Sequence, residues 1–169
     1  MLDPAAAAAA VRGDAATTAT RQSSGDEEVD LFDATQIRGE PVNQYDLVFG
    51  DCFNRIEALR AGRKVVITSR IDCTDAHQYE VFHMTQYPAP HPAIFPGEDV
   101  MTEFGLNACY LQFETFVGEI YELSTYDIGI FIPTRENFEH SRARYRGITC
   151  WLFIDDEEEI AGSAQFTSA

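Results

Sequence analysis

Large apolar residues are scarce in the first quarter of the chain and then arrive in short groups with different spacings. Met1 to Pro41 is rich in alanine, threonine, serine, glycine and acidic residues, with almost no large apolar side chain before Val29. Such a stretch has nothing to fold around, and it predicts an extended low-complexity arm over 1–42. Val29-Asp-Leu-Phe-Asp interrupts it as a short apolar anchor in acidic surroundings, which makes Val29, Leu31 and Phe32 candidate interface residues. Arg12-Gly13-Asp14 spells an integrin-type tripeptide, a match that low-complexity sequence produces by chance.

From Asp46 to Ala61 the apolar residues Phe49, Cys52, Phe53, Ile56 and Leu59 recur every three or four positions. With Asp46 as cap and Gly62 as stop, this spacing predicts the best helix of the chain. The β-branched run Val65–Ile71 predicts a strand, and alternation over Gln78–Thr85 predicts a second, with a turn at Asp72–Ala76. Tyr87–Gly97 carries four prolines and must be an extended loop, whose Ile94 and Phe95 are further interface candidates.

Asn107–Val117 fits two periods. Cys109, Leu111, Phe113, Thr115 and Val117 alternate, and their aromatic and β-branched character favours a strand over the helix the segment also tolerates. A short helix at Glu119–Leu123, a strand at Tyr126–Ile132 stopped by Pro133, and a helical turn at Asn137–Ala143 follow. The last strand is Ile148–Ile154, ahead of an acidic run at Asp155–Glu159 and a small-residue tail over 161–169. About five strands without regular strand–helix alternation predict a mainly β, antiparallel domain over 43–160 with one or two helices. A jelly-roll-like sandwich is one form of that class, and α+β is the alternative.

Composition then narrows the function. The chain has 169 residues, enough for one domain with a real core. Its formal charge of −16 disfavours direct nucleic-acid binding, which draws its affinity from lysine and arginine displacing counterions. Asp3 and Pro4 stand where a secretory signal needs a basic segment, and no apolar run has membrane-spanning length, so the expectation is a protein of the cytoplasm or of a virion, with no membrane partner. Cys52, Cys73, Cys109 and Cys150 are widely spaced without a CxxC pair; buried free thiols are the favoured reading and two disulfides the other.

Candidate chemistry is sparse. His77, His83 and His91 with Cys73 do not match paired zinc-ligand spacings. Cys109 with His140 is the nearest approach to a nucleophile–base pair, and nothing adjacent activates either. Asp155, Asp156 and Glu157 could collect a hard cation, although consecutive acids usually form a solvated turn. The sequence therefore calls for no catalytic residues, cofactor or metal. Arg142, Arg144 and Arg146 alternate on the way into the last strand, so they are expected to face one way and meet carboxylates of this chain or a neighbour.

Two stretches carry a family resemblance. Phe49-Gly-Asp-Cys-Phe-Asn-Arg-Ile-Glu-Ala-Leu-Arg resembles the amphipathic segment of the capsid proteins of picorna-like RNA viruses, with Asp51 where that segment carries glutamate. Phe138–Phe153, with Tyr145-Arg-Gly147, is similar to their aromatic-Arg-Gly entry into a core strand. The resemblance implies a jelly-roll β-sandwich whose N-terminal arm threads between neighbours in a shell. The expected function is thus a structural, non-enzymatic subunit of a homo- or hetero-oligomeric assembly, most simply a capsid. An accessory subunit of a larger complex, or a small soluble enzyme or ligand-binding domain, is the alternative.

Overall fold

The β-branched run at Val65–Ile71 recruits its predecessor into a hairpin. In the computed structural model, which describes residues 37–60, 62–90, 92–142, 145–155 and 158–167, β2 (Cys52–Arg60) pairs antiparallel with β3 (Arg63–Ile71) along its whole length, from Cys52 opposite Ile71 to Arg60 opposite Arg63. The helix expected over Asp46–Ala61 is therefore a strand from Cys52 to Arg60, with a loop before it. Its three- and four-residue apolar spacing satisfies one helix face, but a ladder with a partner that strongly prefers the extended state outweighs that local preference. Gly62, expected to stop a helix, instead turns the hairpin with φ of +70°.

Four more strands complete a single sheet: β1 (Glu40–Val42), β4 (Tyr79–Gln86), β5 (Tyr126–Phe131) and β6 (Gly147–Ile154). The order is β1-β3-β2-β4-β6-β5, and every neighbouring pair is antiparallel. The mainly antiparallel β class is thus observed, and β3, β4, β5 and β6 fall where their alternation and β-branched content predict them. The second layer is a helix, which gives the α+β form of that class. β1 draws the last residues of the expected arm into the sheet edge.

That helix is α1 (Glu98–Val117, 20 residues), and it overturns the strand favoured for Asn107–Val117. Its buried residues Met101, Gly105, Cys109, Phe113 and Val117 repeat every fourth position, while Leu111 and Thr115, which strand alternation would bury with them, are exposed. Gly118 closes it in the left-handed region, φ +85°, donating its N–H to the Glu114 carbonyl. The stripe meets Phe82, Cys150 and Leu152, with Ile128 and Ile130 packed beside them. Each such side chain contributes roughly 1.5–3 kcal/mol by leaving water. The short helix expected at Glu119–Leu123 is a single 3-10 turn at Tyr121–Leu123, and the helical turn expected at Asn137–Ala143 is α2 (Arg135–Glu139), capped by Thr134 and burying Phe138.

The cysteines correct a second expectation. They form Cys52–Cys73 and Cys109–Cys150 disulfides, not buried thiols. Cys150 is central in β6 directly beneath the α1 stripe, so a pairing across 41 residues follows from tertiary placement and leaves no trace in sequence spacing. The C-terminal segment is also part of the domain: Ala164 is fully buried, and Ser163 Oγ and the Ala164 N–H both donate to the Glu80 carboxylate at 2.6 Å.

The opposite face of the sheet carries an aromatic cluster of Phe53, Tyr79, Phe131 and Trp151, covered by Val42 and Leu47. Trp151 lies over Gly129, where an added Cβ would come within 2.2 Å of the indole ring. Gly129→Val should therefore cost about 1–3 kcal/mol by overpacking, read as a lower urea midpoint. An unchanged midpoint would show that the indole does not occupy that position.

Candidate functional site

The interface residues expected from the sequence disperse. Val29, Leu31, Phe32 and Arg144 lie outside the described residues, as do Asp156, Glu157 and His91. Ile94 is 82% exposed, as a contact residue requires. Phe95 is buried edge-on against Phe138, and its N–H donates to the Glu139 carboxylate at 2.8 Å, so it belongs to the core under the proline-rich loop. Among the described residues, Arg146 does not meet a carboxylate. Its guanidinium sits 3.6 Å from the centre of the Phe138 ring and donates to the Phe138 carbonyl, because Tyr145 and Arg146 precede β6 outside any strand and turn back onto α2, with the Tyr145 N–H donating to the Asn137 carbonyl. Arg142 is exposed on that loop.

Expected catalytic and metal candidates also resolve. Cys109 is cross-linked in the core and offers no thiolate to His140. His77 is fully buried, with Nδ1–H directed at the Asp75 carbonyl at 2.8 Å, and its backbone bridges to Ile160. At the end of the acidic run, Glu159 is engaged by Arg38. Asp155 follows the end of β6 and is exposed.

What the sheet presents instead is a ribbon. β4 pairs with β2 only at Cys52 and Phe53, and β1 covers β3 only over Val42 to Glu40 opposite Thr68 to Arg70. Beyond Arg55, β2 and β3 pair with each other alone, a reach of about 17 Å. Leu59, Lys64 and Val66 share one face of it, with Leu59 46% and Val66 43% exposed. Arg55, Arg60, Arg63 and Lys64 place four of the chain's twelve basic residues in this stretch, against one acid, Glu57. At the root, a groove of about 530 Å³ opens between the ribbon and the ends of β4 and β6, floored by Tyr79 and Phe153. Arg55 reaches across it to within 5.0 Å of the Phe131 ring centre.

Known protein families, characterised proteins and solved structures return no match to this chain. The surfaces must therefore be read from their own chemistry.

The outer side of α1 is the ribbon's electrostatic opposite. Asp99, Glu103, Leu106, Tyr110 and Glu114 are exposed at three- and four-residue spacing, and α1 holds no lysine or arginine. Leu111 beside them is 65% exposed. Negative charge continues past the helix. The Tyr110 hydroxyl donates to Glu122 at 2.6 Å, which raises the phenol's pKa and lowers that of the carboxyl. Tyr121 donates to Asp127, and that hydrogen bond, with burial, pushes the phenol up to about 12. Both phenols stay neutral at neutral pH, and the Glu122 carboxylate stays charged. Among the described residues, no helix is long and apolar enough to cross a membrane.

His83 stands opposite Cys150 on the α1 side of the sheet, and burial lowers its pKa below the ordinary value of 6.5. The neutral ring is the form the fold prefers, whereas the unfolded chain takes up the proton first. Stability present above the unfolded pKa is therefore lost as pH falls through about 6.5 toward the lower folded value. The melting temperature should drop between pH 7.5 and 5, and His83→Gln should flatten that drop. Identical slopes for both proteins would exclude this role.

Proposed function

We propose that the chain is a structural, non-enzymatic protein that works by self-assembly, with the ribbon of one copy docking across the outer side of α1 on the next. The observation carrying this reading is charge segregation. A chain of net charge −16 places four of its twelve basic residues in the β2–β3 hairpin, and leaves a twenty-residue helix purely acidic. Each surface also holds unburied apolar side chains, Leu59 and Val66 on one, Leu106 and Leu111 on the other. Opposite fields steer the encounter, and the apolar groups supply the contact that persists once water is expelled.

The two patches are different, so the contact is head-to-tail. Such contacts close into rings or shells when the rotation between copies permits, and otherwise extend as filaments. A capsid subunit is the closed-shell member of this class, with the residues before β1 as a further contact element between neighbours.

Sedimentation velocity of the purified chain tests the reading. Association should strengthen as salt is lowered. Reversing two charges in the double variant Arg63→Glu/Lys64→Glu should weaken it about tenfold or more, since each lost rim pair is replaced by a repulsion of similar size. Combining those changes with Glu103→Lys/Glu114→Lys should restore it. A monomer at high concentration and low salt would refute self-assembly, and electron microscopy of the assembled fraction distinguishes shells from filaments.

A further inference from the structure

The two disulfides differ in their surroundings, and one of them has a third metal-ligating group beside it. Cys109 and Cys150 are both fully buried between α1 and β6. Cys52 is buried at the start of β2, but Cys73 sits half-buried on the turn after β3, where its Sγ approaches the Gly50 carbonyl at 3.4 Å. Thiol–disulfide exchange needs an accessible sulfur, so Cys52–Cys73 is the bond a reductant reaches first.

Directly across the strand pair from Cys52 lies Glu80, a carboxylate with only 1% exposure on the helix-covered face of the sheet. One of its oxygens and the sulfurs of Cys52 and Cys73 all lie within 4.8 Å of one another. Ligands about 2.0–2.3 Å from a tetrahedral zinc ion stand roughly 3.5–3.8 Å apart, so the three groups converge on one centre with small shifts once the sulfurs separate. The carboxylate is already oriented: Ser163 Oγ–H donates to one oxygen and the Ala164 N–H to the other, each at 2.6 Å. Donors of this kind hold metal-ligating carboxylates in place and leave further lone pairs for the ion.

We propose that reduction of Cys52–Cys73 converts this corner of the domain into a zinc site with Cys52 Sγ, Cys73 Sγ and Glu80 as ligands. A dithiol reductant donates two electrons, its own sulfurs becoming a disulfide, and two protons arrive as the Cys52–Cys73 bond breaks into two thiols. Binding of Zn²⁺ then displaces both thiol protons to solvent and leaves two thiolates on the ion. Two thiolates and one carboxylate select Zn²⁺ over Mg²⁺ or Ca²⁺, which take oxygen ligands. Three protein ligands leave a fourth position, reached from the partly exposed Cys73 side. In the oxidised protein the same sulfurs hold each other and no site exists. Because Glu80 also anchors Ser163 and Ala164, the ion would tie together β2, the turn after β3, β4 and the C-terminal segment.

Cobalt substitution tests this in the full chain. The protein reduced with a phosphine under anaerobic conditions should bind one Co²⁺ with the near-ultraviolet thiolate-to-cobalt band and the intense visible bands of a tetrahedral site, and Zn²⁺ should displace it. The oxidised protein should show neither. Glu80→Gln should weaken binding by about tenfold or more, and Ser163→Ala by about tenfold as a positioning residue. The double variant Cys109→Ala/Cys150→Ala should retain the spectrum, while Cys52→Ser/Cys73→Ser should lose it. If Cys52→Ser/Cys73→Ser fails to fold, the Glu80→Gln and Cys109→Ala/Cys150→Ala proteins still decide the matter. A thiolate band that is absent from the reduced protein, unaffected by Glu80→Gln, or lost with Cys109→Ala/Cys150→Ala overturns the assignment.

Discussion

The seating of α1 on the β4-β6-β5 half of the sheet is the contact on which the other features depend. Its four-residue stripe packs on all three strands, and Cys109–Cys150 fixes the crossing at its middle. Closing that long loop typically contributes 2–4 kcal/mol, on top of the apolar burial around it. The register of β6 beneath α1 also places Trp151 on the far face above Gly129, so both faces of the sheet take their arrangement from one strand.

The same contact explains what is left uncovered. α1 spans three strands, and the hairpin formed by β2 and β3 joins them through two residue pairs. A two-stranded ribbon is marginally stable by itself, and this one exposes Leu59, Arg63, Lys64 and Val66. An edge with those properties invites pairing or docking. The outer side of α1 is acidic, and the result is two complementary surfaces at different places on one molecule.

How far the sequence discloses this varies with the origin of each element. β3, β4, β5 and β6 show themselves because their own residues prefer the extended state and are interrupted by Pro133 and polar turns. β2 is hidden because Phe49, Cys52, Phe53, Ile56 and Leu59 mimic a helix face, and only the partner strand reveals otherwise. α1 is hidden because Gly105 sits in its buried stripe and reads as a gap, so the alternation of Cys109, Leu111 and Phe113 dominates a short window. Extending that window back to Glu98 and Asp99, acids in a first turn just after Pro96-Gly97, would have disclosed the helix. The basic cluster between Arg55 and Lys64 is plain in the sequence, but its projection from the domain is a property of sheet order. Neither disulfide nor the approach of Glu80 to Cys52 and Cys73 has any spacing signature, since each joins separate strands or elements.

Hydrogen exchange as a function of protein concentration tests the account most directly, because it reads the ribbon and the core in one experiment. In dilute solution the ribbon amides over 56–60 and 63–67 should exchange through local opening, well before those of α1 and β6, and they should gain protection as concentration rises. Ribbon amides as protected as β6 at every concentration would contradict both its independence from the core and its use between copies.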